Sequence, residues 1–316
     1  MRLYIGRNIS KEIMLRLQEA NPEWTIVSKD SVEDEMQELQ RADAVAAPSS
    51  EMLKRMTTTA GSVKWVHTWS AGVDNVPLKE LSENGITVTT SSGVHGVPIA
   101  ETIFALMLGW TRKIPQYVRQ QKDRKWHHAN MNAEMYGTTV GLFGTGAIGQ
   151  ETAKRCKAFG MNVLGISRSG RAVEGFDEIF AEQQTNIVLD RCDFVVNSLP
   201  LTEATTGFFG KEQFGVMKPN AFFVNVGRGK TVDEDALLHA LERGTIAGAG
   251  LDVFETEPLP ESHPFWTMDQ VVMTPHTAGS TLHYDERVCD ILNDNMSSLT
   301  SKGTLSVNVV DVKLGY

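Results

Sequence analysis

The stretch Thr139-Val-Gly-Leu-Phe-Gly-Thr-Gly-Ala-Ile-Gly149 decides how this chain folds. Its first five residues, ending at Phe143, form a short apolar run that is typical of a buried strand. A glycine-rich loop follows, consisting of Gly144, Thr145, Gly146, Ala147, Ile148 and Gly149. An amphipathic helix is predicted over residues 147–159. A strand, a glycine loop and a helix in this order indicate a nucleotide-binding unit.

The three glycines of the loop have different predicted roles. Gly144 permits the tight turn, Gly146 lets the backbone approach a pyrophosphate, and Gly149 lets the helix lie close to the strand. The helix N-terminus supplies N–H groups and the positive end of a dipole for phosphates. A tight turn with no ligand is the alternative, which the flanking strand and helix disfavour. We therefore predict a Rossmann nucleotide-binding domain.

The end of the next strand, predicted at 162–166, bears on the choice of cofactor. NAD-binding units usually carry Asp or Glu there, to bind the ribose 2′-hydroxyl. This chain has Ser167, Arg168 and Ser169 instead. Arg168 could stack on adenine and pair with a 2′-phosphate, the two serines could donate hydrogen bonds to it, and Arg171 could add charge. We expect the cofactor to be NADP(H), with NAD(H) as the alternative. The simpler interpretation of Arg168 is a solvated surface arginine.

Strands and helices alternate along the rest of the chain. Predicted strands lie at 3–6, 25–27, 43–47, 64–69, 86–90, 193–197, 221–225, 249–252 and 271–273. Predicted helices lie at 11–20, 32–41, 98–110, 233–243 and 284–300. Asp233 can cap the helix it precedes, and Gly244 can end it. This alternation implies βαβ units and two α/β domains with doubly wound parallel sheets, and 316 residues are enough for two domains.

The composition excludes several classes of protein. With 41% hydrophobic and 22% charged residues, the chain has a typical soluble composition. A net charge of −9 disfavours nucleic acid or an anionic membrane as a partner. Cys156, Cys192 and Cys289 are far apart, which favours reduced buried thiols and predicts no metal site. No signal-peptide pattern or membrane-spanning stretch is visible, so we expect a cytoplasmic protein.

Three polar residues, each after a short apolar run, could carry chemistry together. Arg228 could bind and polarise a 2-oxo acid, because its planar fork binds paired oxygens. His276 is the natural proton donor near neutral pH. Glu257 could bond the other ring nitrogen and favour the protonated imidazole. A bound nucleotide could then deliver a hydride to the polarised carbonyl.

Each of these residues also has a simpler interpretation. A strand-end His276 is often a satisfied polar residue, and a glutamate before proline is usually a solvated turn residue. The glycines beside Arg228 suggest a close approach of the backbone to a ligand. Glu255 and Glu257 could suggest a glycosidase pair, but their closeness in sequence and the nucleotide loop argue against it.

The chain resembles the D-isomer-specific 2-hydroxyacid dehydrogenases over essentially its whole length. The most specific block runs from Met217-Lys-Pro-Asn-Ala-Phe-Phe-Val-Asn-Val-Gly-Arg-Gly229 through Asp233-Glu-Asp-Ala-Leu-Leu238 to Leu251-Asp-Val-Phe-Glu-Thr-Glu-Pro258. The resemblance implies a nucleotide-binding domain (97–282) inserted into a flavodoxin-like substrate-binding domain (1–96), to which residues 283–316 return. It also implies the roles given above for the three polar residues.

The same resemblance implies further contacts. Ala71 and Gly72, in Ser70-Ala-Gly-Val-Asp74, would offer backbone N–H groups to the substrate carboxylate, and Asp252 would meet the nicotinamide carboxamide. Further cofactor contacts fall on Leu199, Pro200, Thr205, Val226, Gly227 and Gly279. Family members are usually homodimers joined through the nucleotide domain, so Trp110 and Trp126 are candidates for that interface or for the core.

Within the family the chain is most similar to the short glyoxylate/hydroxypyruvate reductase branch, which favours NADPH. A phosphoglycerate dehydrogenase using NAD is the alternative, although no basic cluster lies near residues 70–74 and we expect the chain to lack the C-terminal regulatory extension common in those enzymes. Formate dehydrogenases carry Gln in place of Glu257, which disfavours that activity. A nucleotide-sensing, corepressor-like scaffold is the alternative from another class, and it has no need for a proton donor. Trp69 and Trp266 could narrow the substrate pocket or belong to the core.

Overall fold

The computed structural model describes residues 1–58, 61–73, 75–128 and 133–312. The chain forms two compact units: the first contains Met1–Val94 and the segment from Thr281 onward, and the second contains His95–Ser280. From sequence, the boundaries were expected after residues 96 and 282. The described part of each unit contains its own parallel sheet.

The first unit is built on a five-stranded parallel sheet of order β2-β1-β3-β4-β5. Its strands are β1 (Arg2–Ile5), β2 (Thr25–Ser28), β3 (Ala44–Ala46), β4 (Trp65–His67) and β5 (Thr87–Thr89). The helices between them are α1 (Lys11–Ala20), α2 (Glu35–Arg41), α3 (Ser50–Thr58) and α4 (Leu78–Glu83). Strands β3 and β4 are entirely buried, as expected of a sheet covered on both faces. The strand order is that of flavodoxin-like folds.

The second unit is built on a seven-stranded parallel sheet of order β12-β11-β10-β9-β6-β7-β8. Its strands are β6 (Thr139–Phe143), β7 (Asn162–Ser167), β8 (Glu178–Ala181), β9 (Phe194–Asn197), β10 (Phe222–Asn225), β11 (Gly248–Leu251) and β12 (Val271–Met273). Its helices are α5 (Gly96–Thr111), α6 (Ile114–Lys122), α7 (Ala147–Ala158), α8 (Thr185–Arg191), α9 (Lys211–Val216) and α10 (Glu234–Glu242).

The first strand of this sheet, β6, lies between β7 and β9. The strand order reverses at that point, and ligands of such sheets bind beyond the carboxyl ends of the strands there. The predicted fold class, with two doubly wound parallel sheets, is confirmed.

The last helix, α11 (Tyr284–Lys302), belongs to the first unit. Leu292 and Met296 are fully buried in the same core cluster as Leu3 of β1. Beyond the helix, Val309 forms an antiparallel bridge with Thr89, so Val309 lies at the β5 edge of the same sheet.

Some predicted boundaries need correction. Helix α2 begins at Glu35 rather than at residue 32, because Lys29–Ser31 form a short 3-10 turn and the Asp34 carboxylate caps the helix. Several elements were not predicted: α3, α4, α6, α8, α9 and β8. The apolar helix α5 is largely buried, as predicted. Within the described residues, no helix is long and apolar enough to cross a membrane.

Candidate active site

The three loop glycines meet different surroundings after β6. Gly144 has φ +108°, and a Cβ there would lie 2.7 Å from Ser198 Oγ. A Cβ on Gly149 would lie 2.1 Å from Gly144 O, so only glycine lets α7 lie this close to the turn. A Cβ on Gly146 would meet nothing within 4 Å. Two of the glycines are therefore required by the protein, and Gly146 leaves open space where a ligand could approach.

The start of α7 supplies the complementary donors. Gly146 is the N-cap residue, and no side chain caps the helix. Thr145 and Ala147 lie in the same turn, and Ile148 packs against the core behind it. Uncapped N–H groups at a helix N-terminus attract anions. The loop and helix thus fit the pyrophosphate of a dinucleotide.

The end of β7 forms a turn without a carboxylate. Ser167 Oγ accepts a hydrogen bond of 3.1 Å from Gly170 N, and Gly170 adopts φ +64°. Arg168, Ser169 and Arg171 are exposed around the turn. The turn therefore presents hydroxyl and guanidinium groups where an NAD-binding unit usually presents an acid.

The segment after β9 is held by its own hydrogen bonds. Thr205 Oγ1 donates to Pro200 O at 2.6 Å and accepts from Thr202 N at 2.8 Å. Leu199 N donates to Asn197 Oδ1 at 3.1 Å. The segment predicted to line the cofactor thus has a fixed shape beside the glycine loop.

Arg228 follows β10, and its side chain is exposed. Buried polar groups hold the backbone at this position through hydrogen bonds. Arg228 O accepts from Thr231 Oγ1 at 2.6 Å, and Gly227 N donates to Asn225 Oδ1 at 3.1 Å. Asn197 Nδ2 joins the two, at 2.7 Å from Thr231 Oγ1 and 3.0 Å from Asn225 Oδ1. The sequence contained a signal for this network: Asn residues end two apolar strands, and buried amides require partners.

The glycines on either side of Arg228 are required for a different reason from the predicted approach to a ligand. A Cβ on Gly227 would lie 2.6 Å from Leu199 O, and one on Gly229 would lie 1.9 Å from Phe254 C. Both therefore allow close approach to protein backbone, and their presence is no sign of a ligand. The contact with Phe254 joins the Arg228 loop to the loop that carries Glu257.

Glu257 and His276, 19 residues apart in sequence, are joined by a hydrogen bond. His276 Nδ1 lies 2.7 Å from Glu257 Oε2, and Phe254 N donates to Glu257 Oε1 at 2.9 Å. Burial raises the pKa of Glu257, but hydrogen bonds from His276 and Phe254 and the charges of His276 and Arg228 outweigh it and lower the pKa overall. An ionised carboxylate only accepts, so Nδ1 carries a proton and Nε2 is the nitrogen that exchanges one.

The backbone of His276 is strained. Its φ is +52°, a region that costs a non-glycine residue about 1–3 kcal/mol. His276 N donates to Asp252 O at 2.8 Å. The buried Asp252 carboxylate accepts from Thr277 N at 2.9 Å and from Ala278 N at 3.1 Å. Asp252 therefore holds the histidine loop, a role that the sequence did not indicate.

The three polar residues follow three neighbouring strands of one sheet. Arg228 follows β10, Glu257 lies beyond β11 and His276 follows β12. The carboxyl ends of parallel strands share one edge, which is where this sheet order places a ligand. Val226 is buried behind Arg228, and Gly279 packs against His95. The arrangement combines a fixed cation, an oriented imidazole and a phosphate-binding loop.

The predicted carboxylate loop lies in the first unit, after β4. Ala71 and Gly72 are exposed there, and Asp74 lies outside the described residues. Trp69 is partly buried against the first unit's core. Trp266 belongs to the second unit and is 56% exposed, so it is not a core residue.

Comparison with known proteins places these features in a family. Residues 104–278 match the model of the D-isomer specific 2-hydroxyacid dehydrogenase, NAD binding domain. The chain is 36% identical over 259 residues to the glyoxylate reductase of Korarchaeum cryptofilum, covering 80% of this chain and 77% of that protein.

Two further comparisons widen the range of relatives. The chain is 35% identical over 289 residues to the D-3-phosphoglycerate dehydrogenase of Methanocaldococcus jannaschii. The aligned region covers 89% of this chain but only 54% of that protein, so this chain spans about half of the relative's length. A solved NADPH-dependent glyoxylate/hydroxypyruvate reductase from Sinorhizobium meliloti, in complex with NADP and sulfate, aligns with a TM-score of 0.77 and 28% identity, over 100% of this chain and 99% of that chain.

The family that the sequence motifs predicted is therefore confirmed. The loop at Gly144–Gly149 belongs to a domain whose family model is defined by nicotinamide nucleotide binding. This chain belongs to the D-isomer specific 2-hydroxyacid dehydrogenase family, whose members are oxidoreductases that use NAD or NADP.

Proposed function

We propose that the chain is an NADPH-dependent reductase that converts small 2-oxo acids, such as glyoxylate and hydroxypyruvate, to D-2-hydroxy acids. The observation that carries this proposal is the 2.7 Å pair of His276 Nδ1 and Glu257 Oε2, at the same sheet edge as Arg228 and the glycine loop. A pair of this kind prepares a proton donor, and Arg228 provides a cation for a carboxylate or a polarised carbonyl.

Each of these residues has a defined chemical role in this proposal. A nicotinamide nucleotide held at the Gly144–Gly149 loop would supply the hydride for the carbonyl carbon. Arg228 binds the substrate carboxylate and polarises the carbonyl oxygen, and the backbone N–H groups of Ala71 and Gly72 bind the carboxylate. His276 gives the proton on Nε2 to the carbonyl oxygen, which becomes the hydroxyl. Glu257 keeps the imidazole oriented and balances its charge.

The reaction is tested with purified full-length protein and a panel of 2-oxo acids. We expect NADPH oxidation with glyoxylate and hydroxypyruvate, and a lower kcat/KM with longer substrates. Absence of NADPH and NADH oxidation with every 2-oxo acid contradicts the proposal. That outcome would favour a nucleotide-sensing scaffold, for which nucleotide binding without turnover is the expected result.

The proposed cofactor is NADP(H), supported by the partly buried Ser167, by the exposed Arg168 and Ser169 and by the absence of an acid from that turn. Further cofactor contacts are proposed for residues around the glycine loop: Gly144–Gly149, Leu199, Pro200, Thr205, Val226, Gly227, Asp252 and Gly279. The double variant Ser167→Asp with Arg168→Ala introduces an acceptor for a ribose 2′-hydroxyl and removes the cation. We expect kcat/KM to move from NADPH towards NADH, and a wild-type preference for NADH contradicts the assignment.

A second candidate is an NAD-dependent phosphoglycerate dehydrogenase, favoured by the identity to the Methanocaldococcus jannaschii protein. This chain spans about half of that relative, so the comparison does not carry over that protein's whole activity. The test is 3-phosphoglycerate oxidation with NAD measured beside glyoxylate reduction with NADPH. A higher kcat/KM for phosphoglycerate would replace the first proposal.

We also propose that the chain forms a homodimer through its second unit. Trp126 is 95% exposed, and Ile114 and Val118 of α6 are also exposed. Trp110 instead stacks on Phe222, with ring centroids 5.1 Å apart, which favours a core role for it. Light scattering should give twice the mass of the chain, and Trp126→Ser should shift the protein towards the monomer. A wild-type monomer contradicts the proposal.

A further inference from the structure

Four of the five backbone carbonyl groups of residues 68–72, in the loop that carries Ala71 and Gly72, accept hydrogen bonds from protein hydroxyls. Ser91 Oγ donates to Thr68 O at 2.9 Å, and Tyr284 Oη donates to Trp69 O. Thr68 Oγ1 donates to Ser70 O, and Ser70 Oγ donates to Gly72 O, both at 2.8 Å. A second bond to Ser70 O comes from Ser91 N at 3.0 Å. These four acceptors are thus used within the first unit.

The N–H groups of the same turn are in the opposite situation. Among the described residues, neither Ala71 N nor Gly72 N donates a hydrogen bond. Both residues are exposed. A turn with most of its carbonyls engaged and with two N–H groups available is suited to an anion. Its ability to bind a carboxylate therefore depends on the bonds that hold the carbonyls in place.

Two consecutive residues of α11 hold Trp69, which immediately precedes this turn. Tyr284 donates to the Trp69 backbone carbonyl, and Asp285 Oδ1 accepts from the indole Nε1 at 2.9 Å. The guanidinium of Arg7 lies 5.0 Å from the centre of the same indole ring and 3.5 Å from Asp285 Oδ1. Burial raises the pKa of Tyr284, so its hydroxyl stays protonated and remains a donor. The first turn of α11 therefore fixes both the backbone and the ring of Trp69.

We propose that Tyr284 and Asp285 are positioning residues that hold the 69–72 turn in the conformation that binds the carboxylate of a 2-oxo acid. They act through Trp69 and do not touch the substrate. The inference rests on the proposed function, because that function places the substrate carboxylate on Ala71 and Gly72. It adds to that function a source of substrate affinity in the last helix of the chain.

The decisive variant is Tyr284→Phe, which removes one hydroxyl and keeps the ring. Tyr4→Phe is the matched control, because Tyr4 is a buried tyrosine of the same unit whose hydroxyl donates to Glu35 Oε2 at 2.9 Å, away from the turn. Loss of one such bond should raise the KM for glyoxylate about tenfold in Tyr284→Phe. The kcat and the KM for NADPH should change little, and Tyr4→Phe should keep the wild-type KM. An unchanged KM, or an equal rise in the control, overturns the proposal.

A second readout keeps this inference separate from the proposed function. Hydrogen exchange of the full-length protein should be faster in the 69–73 peptide of Tyr284→Phe, and unchanged in Tyr4→Phe. Asp285→Ala should show the same increase, whereas Asp285→Asn keeps an oxygen acceptor for the indole and should show less of it. Unchanged exchange in Tyr284→Phe overturns the positioning role even if the enzyme is active. Faster exchange together with no turnover of any 2-oxo acid contradicts the proposed function alone.

Discussion

His276 is held by its neighbours in a way that a merely structural histidine would not require. Its Nδ1 is bonded to Glu257, its backbone is in the left-handed region, and its side chain is 52% exposed. Strain of this kind persists only where surrounding bonds impose it, and such residues cluster at functional sites. We infer that these contacts fix the orientation of the imidazole, so that Nε2 is presented to the substrate in a defined direction.

Replacing this histidine tests its role as proton donor. His276→Asn should lower kcat by roughly 10²–10⁴-fold, which is the usual contribution of a general acid. His239→Asn is the control, because His239 is an exposed histidine on α10 whose Nδ1 bonds only to a carbonyl of its own helix. Steady-state kinetics with NADPH and glyoxylate measures both. A loss of less than about tenfold in His276→Asn would assign the proton to another donor.

Glu257 gives a prediction that depends on pH. Its pKa is lowered in the folded protein, so its stabilising contribution is present above the ordinary carboxyl pKa and is lost as pH falls through the lowered value. In Glu257→Gln a single amide oxygen cannot accept from both Phe254 N and His276 Nδ1. The variant should have a lower Tm than wild type at neutral pH, and the difference should shrink on acidification. It should also reduce kcat, by less than His276→Asn does.

The control for this variant is a second His–Glu pair. His283 Nδ1 lies 2.8 Å from Glu286 Oε2, with both side chains at least half exposed. Solvent-exposed pairs contribute little, so Glu286→Gln should leave the pH dependence of Tm and the kcat close to wild type. A constant Tm difference at all pH values for Glu257→Gln would mean that its carboxylate charge has no part in the effect.

Several residues of the site could be predicted from sequence, and others could not. Arg228, Glu257 and His276 stand out because each polar group follows an apolar strand. The contacts that hold them, such as Asp252 with the His276 backbone, join distant segments and depend on strand order. The flanking glycines were misinterpreted, because a close approach to protein backbone and one to a ligand look the same in sequence.

At the scale of the elements, the junction of β6 and α7 contains one glycine that the packing of the protein requires and one that only the proposed ligand requires. Gly149→Ala places a Cβ 2.1 Å from Gly144 O, so it should destabilise the protein by about 1–3 kcal/mol and lower Tm. Gly146→Ala places its Cβ in open space at an ordinary backbone angle of φ −76°. It should keep the wild-type Tm and weaken NADPH binding.

These two glycine variants are compared by thermal melting without ligand and by NADPH titration. Gly215→Ala in α9 serves as the control, because nothing lies within 4 Å of its Cβ and alanine is a better helix former. It should keep the affinity and slightly raise Tm. Wild-type NADPH affinity in Gly146→Ala would place the pyrophosphate elsewhere.

Elements with strong apolar patterns were predicted well, and weakly patterned ones were missed. The strand β6, wholly apolar after its first residue and followed by glycine, was predicted with the right bounds. The edge strand β8 was missed because none of its residues is fully buried, so its sequence has no strong hydrophobic pattern. Helix α6 was missed for a similar reason, since none of its residues is buried.

At the scale of the whole molecule, the chain consists of two units with separate cores. The clusters around Leu3 and Tyr4 belong to the first unit, and those around Phe143 and Ile103 to the second. Sequence alternation predicted both sheets, because each strand is a short apolar run between helices. The return of α11 to the first unit could not be derived from its pattern, because an amphipathic helix does not specify its partner.

The two-unit organisation predicts which part of the protein is stabilised when NADPH binds. A ligand stabilises the part of the protein that it binds, by about 2.7 kcal/mol at a concentration of 100 Kd. NADPH should therefore slow amide exchange by up to about a hundredfold in the second unit, starting at the glycine loop and the turn at Ser167. Gly146→Ala at the same NADPH concentration should lose this protection. Protection confined to the strands of the first unit would mean that the nucleotide binds outside the Gly144–Gly149 loop, and the cofactor assignments made for the second unit would then be wrong.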